Sequence, residues 1–193
     1  MSLVVYSDYV CPFCYLAEAM LARVRADVEV EVEHRAYELR PAPAPLPDVR
    51  AGFYLQGWLS TVLPLARALE VPVTETPPIM RRSRKAHEAM AYARENGAGD
   101  AMHTALFRAH FVDGRDIGRI DVLVEIGSAL GLDPTGLKVA LDIDAHTERV
   151  EADEREALEL GLEGVPAFRH EDEILVGLQP LETLRSLARR AGG

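Results

Sequence analysis

"SDYVCPFCYL", residues 7–16, holds both cysteines of the chain, Cys11 and Cys14, with two residues between them. The stretch before the pair, "SLVVYSD" (2–8), reads as a short buried strand. After it, Phe13, Leu16, Ala17, Met20, Leu21 and Val24 recur at the three-to-four spacing of an amphipathic helix. Pro12 takes the first helical position, where its missing N–H costs nothing. The thiols therefore lie at a strand-to-helix turn. Cys11 faces the free amides and the positive end of the helix dipole, and Cys14 lies one turn inside.

Two cysteines at this spacing can hold a metal, staple a turn or exchange disulfides. A zinc site needs two further ligands. The chain has no other cysteine, and its six histidines (34, 87, 103, 110, 146 and 170) offer no H-x3-5-H partner. No metal is therefore expected. Two cysteines are also too few for a disulfide scaffold. Disulfide exchange fits the placement: Cys11 attacks, because a thiolate at a helix start is stabilised and its pKa is expected to fall. Cys14 then resolves the mixed disulfide.

Working outward, "VEVEVEHRA" (28–36) alternates strictly, with Val28, Val30 and Val32 on one face and Glu29, Glu31 and Glu33 on the other. An inner strand of a parallel sheet would be apolar on both faces. This one is expected at an edge, where the glutamates deter aggregation. Residues 2–36 thus make one βαβ unit. "RPAPAPLPD" (40–48) is a stiff connector. Helical patterns cover 49–70, 83–96, 100–111, 117–130 and 144–160. Asp116 and Asp133 are expected as N-caps, the latter followed by Pro134. The close reads as strand 166–170, a turn at Glu171–Asp172, strand 173–176, and a last helix through Leu181, Leu184 and Leu187 behind Pro180. A hairpin and helix cannot bury an apolar face alone. They are expected in the same sheet as the βαβ unit. That gives a split α/β domain, 1–40 with 144–193, around a helical insertion, 41–143.

A second motif is "GVPAF" (164–168). Pro166 opens a strand directly after a glycine turn, a place where proline is tolerated and a cis bond is found. Beside Cys11, the Val165 backbone would pair with an extended substrate, and Pro166 would keep a metal off the sulfurs. An edge-strand proline with no such role is the competing reading.

These two motifs and the order of elements resemble the DsbA-like branch of the thioredoxin superfamily. The chain is most similar to a subgroup typified by a dithiol–disulfide isomerase associated with polyketide biosynthesis, whose D-x-x-C-P-W-C-Y is matched by Asp8, Cys11, Pro12, Cys14 and Tyr15. "RRSRKAHEAMAYA" (81–93), "LFRAHFVDGRDIG" (106–118) and "VGLQPLETL" (176–184) match as well. The resemblance implies a thioredoxin fold with a helical insertion, nucleophilic Cys11, resolving Cys14 and cis Pro166, with Pro12, Phe13, Val165 and Pro166 meeting the substrate. Phe13 departs from the subgroup's tryptophan at a position that tunes redox potential, so DsbA's oxidising power does not carry over. A neighbouring branch, the hydroxychromene-carboxylate isomerases and kappa-class glutathione transferases, uses a serine or lone cysteine at the Cys11 position. A glutathione-dependent isomerase or transferase is thus the alternative, and a non-enzymatic binding module on the same fold a third. No prosthetic group is implied; glutathione is a candidate redox partner.

Further candidates are Asp8 and Tyr9 beside the turn, and Arg84 and His87 in "RRSRKAH" (81–87). Arg84 stands either toward an anionic ligand such as a glutathione carboxylate or in an internal ion pair. Asp8 is expected to cap the turn. Phe53, Tyr54, Trp58 and Leu59 are expected to be core, and Glu148, Glu151, Glu154 and Glu159 a solvated face. The net charge of −10 argues against nucleic acid as a partner. No apolar run approaches the ~20 residues of a membrane span. "MSLVVYSDYV" lacks a secretory pattern, so the expected compartment is the cytoplasm.

Overall fold

The structure is a computed structural model describing residues 2–193. Its element order is β1 (Leu3–Ser7), α1 (Pro12–Asp27), β2 (Val32–Ala36), α2 (Gly52–Gly57), a π-helical turn (Trp58–Val62), α3 (Leu63–Ala68), α4 (Arg84–Glu95), α5 (Gly99–Phe111), α6 (Ile120–Ala129), α7 (Pro134–Asp142), α8 (Thr147–Glu159), β3 (Ala167–His170), β4 (Glu173–Val176) and α9 (Leu181–Gly192). The strands form one mixed sheet in the order β2-β1-β3-β4. β1 is buried along its whole length and runs parallel to β2 and antiparallel to β3. This is the thioredoxin arrangement expected from the sequence, with α2 to α7 interposed between its halves.

Four apolar clusters fill the interior, and two of them are large. Leu3, Val5, Leu21, Val24, Phe168, Leu184 and Leu187 bury one sheet face beneath α1 and α9. The larger cluster joins Tyr9, Cys11 and Cys14 to Trp58, Leu106, Phe107, Phe111 and Leu123 of the helical region. The cysteine turn therefore lies at the seam between sheet and helices.

Several expectations are corrected. β2 starts at Val32 rather than Val28, where its pairing with β1 begins opposite Leu3. The expected helix over 49–70 is two helices joined through the π turn, and Phe53 is 85% exposed with Leu59 half-exposed. Of that aromatic group only Trp58 is buried; it stacks near Phe111. Asp116 does not cap a helix. Its carboxylate accepts from the Gly118 amide, and Arg119 holds the cap position of α6. Asp133 does cap α7, accepting from the Thr135 and Gly136 amides. Glu154 is partly buried against Arg84 rather than solvated.

Candidate active site

Asp8 builds the turn that carries Cys11. Its carboxylate accepts from the Val10 amide at 3.2 Å and from Leu39 at 2.7 Å, and its carbonyl accepts from Cys11 at 3.0 Å. The side chain is fully buried. One residue thus ties the cysteine turn to the segment leaving β2. Cys11 takes the N-cap position of α1, Pro12 follows at the start of the helix, and the Cys14 and Tyr15 amides close on the Cys11 carbonyl.

Cys11 and Cys14 are both free and buried. They differ in surroundings. The Cys14 thiol is pushed well above the ordinary cysteine value, first by burial and next by the adjacent Cys11 sulfur. The Cys11 thiol points instead at the Val165 carbonyl, with 3.6 Å between sulfur and oxygen. The sheet register explains that contact. Tyr6 pairs with Ala167, so the next residues of each strand, Ser7 with Asp8 and Pro166 with Val165, meet where the chain turns into α1. The Val165–Pro166 bond is cis, as is Ala42–Pro43. The Pro166 carbonyl is taken by the Gly177 amide. Phe13 and Pro12, between the two cysteines, are partly buried.

The remaining candidates fall elsewhere. Arg84 pairs with Glu38, Glu154 and Glu151, the internal ion pair that is one of its two expected placements. Three carboxylates share that one cation. Burial and the nearby Glu38 outweigh Arg84, and the Glu154 carboxyl rises to about 7. His87 is buried against Tyr9, ring centroids 4.8 Å apart, with Nε2 3.7 Å from the Asp8 carboxylate. Tyr9 is buried between His87, His103 and Phe107, and its hydroxyl meets His103 Nδ1 at 3.0 Å. The sequence reading assigned no role to His34, His103 or Glu18. They come from β2, α5 and α1, and no local spacing links them. His34 and His103 stack at 3.8 Å. Burial, with His103 next, lowers His34 to about 4, while the two histidines hold Glu18 below the usual carboxylate range despite its burial.

A sheet of this order with a buried dithiol at the first helix and a cis proline across from it defines a thioredoxin-fold protein of the DsbA type. The sequence matches the DSBA-like thioredoxin domain over residues 2–188, and the chain belongs to that family. It is 33% identical over 181 residues to the Bacillus subtilis protein YwbO, covering 90% of this chain and 88% of that one. Among solved structures, a probable DsbA oxidoreductase from Streptomyces coelicolor superposes with a TM-score of 0.89 at 28% identity, covering 99% of this chain and 89% of that one. The cytosolic disulfide reductase DsbM from Pseudomonas aeruginosa with GSH superposes at 0.67 with 25% identity, covering 98% and 93%. No helix among the described residues is long and apolar enough to cross a membrane.

Proposed function

We propose that this chain is a thiol–disulfide oxidoreductase in which Cys11 attacks and Cys14 resolves. The observation that carries this reading is the inequality of the two sulfurs. Cys11 lies at the helix start against the Val165 carbonyl, and Cys14 is held protonated one turn deeper. In the reducing direction the Cys11 thiolate attacks one sulfur of a substrate disulfide. The substrate disulfide breaks, the leaving sulfur departs as a thiol after taking up a proton, and a mixed disulfide forms. Cys14 gives up its proton and attacks Cys11 Sγ. The second substrate sulfur leaves, and the two electrons reach the substrate as the Cys11–Cys14 disulfide forms. Val165 and Pro166 border the attacking sulfur, where the edge of an extended substrate would lie, and Pro12 and Phe13, the residues between the two cysteines, would meet it as well.

Replacing Cys14 by serine tests the order of attack. The variant is expected to lose turnover and to accumulate a mixed disulfide through Cys11, visible as a mass adduct released by dithiothreitol. Full turnover with glutathione in that variant would instead support the isomerase or transferase reading, and no thiol exchange by the native chain would leave a binding module.

Glutathione is the small thiol favoured as redox partner, on the strength of the likeness to the DsbM structure with GSH. Arg84 is not its anchor, being consumed by Glu38 and Glu154. The cytoplasm, where a dithiol of this kind stays reduced, is the compartment this reading fits. The direction of use rests on the dithiol's reduction potential, measured by equilibration in glutathione buffers.

A further inference from the structure

One turn behind Cys14 on α1, Glu18 meets two histidines that the thiol chemistry does not use. Glu18 Oε1 lies 3.3 Å from His103 Nε2 and 3.6 Å from His34 Nδ1. The three ligand atoms fall within 4.8 Å of one another. Both histidine side chains are more than nine-tenths buried. Glu18 Oε1, His34 Nδ1 and His103 Nε2 are each buried without a hydrogen-bond partner. A buried polar atom left without a partner is unfavourable. The three atoms converge on one point, and a single cation would satisfy all of them once His34 turns out of its stack with His103.

We propose that Glu18, His34 and His103 form a binding site for a divalent transition metal of the zinc class. Two imidazoles and one carboxylate select zinc and its neighbours over magnesium or calcium, which prefer all-oxygen shells. The Oε1 separations from the two nitrogens are close to the ~3.3 Å spacing of ligands on a tetrahedral zinc with bonds of about 2 Å. The outer groups suit the role. The Tyr9 hydroxyl meets the far nitrogen of His103, so an Nδ1–H donated to Tyr9 leaves the Nε2 lone pair aimed at Glu18. Arg94 donates to the His34 carbonyl and steadies that strand.

A metal must lie near the plane of each ring that binds it, and two rings in one stack do not meet that condition together. His103 is pinned by Tyr9, so binding turns His34 out of the stack. Room exists for that movement. A cleft of about 400 Å³ is lined by Glu18, His34 and His103, and also by Tyr15, Thr104 and Phe107. Glu70 and Asp100 outnumber Arg25 among the charged groups lining it besides Glu18, and Arg25 is turned toward Asp100, which favours entry of a cation. Three protein ligands leave one coordination position facing the cleft, where a water or a small anion would bind. This site is separate from the cysteine pair, and the expectation of no metal ligand considered only histidines close in sequence.

The test uses the full chain carrying Cys11→Ser and Cys14→Ser, so that no thiolate competes. Titration with zinc chloride by calorimetry is expected to give one equivalent. Glu18→Gln and His103→Ala should each weaken it at least tenfold, and calcium should not bind. Histidine ring NMR of the same chain, which needs no further variant, should show zinc shifting His34 and His103 and leaving His87, His110, His146 and His170 in place. Absence of stoichiometric binding, affinity unmoved by Glu18→Gln, or shifts at other histidines only would each overturn the proposal.

Discussion

Cys14 is one of the most enclosed polarisable groups of the chain, at 1% exposure, and its raised pKa follows from that burial before anything else. A protonated thiol is a poor nucleophile, so the raised Cys14 pKa, from burial and the adjacent Cys11 sulfur, fits the later step proposed for it. Limited treatment of the reduced protein with iodoacetamide near pH 7, read by peptide mass spectrometry, is expected to label Cys11 well ahead of Cys14. Labelling of Cys14 should gain as the pH rises. Equal labelling rates at neutral pH would contradict the assignment. Asp8 shows the same economy. Its carboxylate is spent on two backbone amides, which leaves it holding the turn rather than serving as a free base.

Between elements, the most informative contact is α4 against α8, where Arg84 meets Glu154 and Glu38. The Glu154 carboxyl titrates near 7 when folded, against an ordinary value of 4.5. Folding therefore takes up a proton between these values. The contribution to stability is complete below about pH 4.5 and is lost as the pH rises through about 7. Glu154 is only partly buried and shares Arg84 with two other carboxylates, so the effect is on the order of 1 kcal/mol. Glu154→Gln keeps the acceptor for Arg84 and removes the proton. Urea unfolding of both proteins at pH 5 and pH 8 is expected to show the variant gaining relative to the native chain at the higher pH. An unchanged difference between the two pH values would refute the linkage. The glutamates of α8 read as a solvated face because spacing says which residues share a face, not which cation arrives from α4.

At the scale of the molecule, the cysteine turn belongs to the helical cluster, while the far sheet face belongs to α1 and α9. Damage to the two clusters should differ in kind. Phe107 is fully buried against Tyr9 and Tyr15, which flank the dithiol. Phe107→Ala is expected to cost about 3–5 kcal/mol and to slow thiol exchange per folded molecule. Leu187→Ala, beneath the sheet, is expected to cost about 2–5 kcal/mol with turnover of the folded fraction preserved. Denaturant unfolding with turnover corrected for folded fraction measures both; equal effects on turnover would mean that the seam carries no special role.

The strand–turn–helix around Cys11, the edge position of β2, the cap at Asp133 and the final hairpin were all legible in the sequence. Each depends on interactions among residues close along the chain: hydrophobic period, proline geometry and side-chain capping. Tertiary structure alone decided three things. It set Val165 against Cys11 through the pairing of β1 with β3. It gave Arg84 to internal carboxylates. It gathered Glu18, His34 and His103 from three elements. The physical reason is common to all three. Charge pairing, desolvation and ligand convergence depend on distance through space, and local periodicity carries no information about which distant side chain closes that distance.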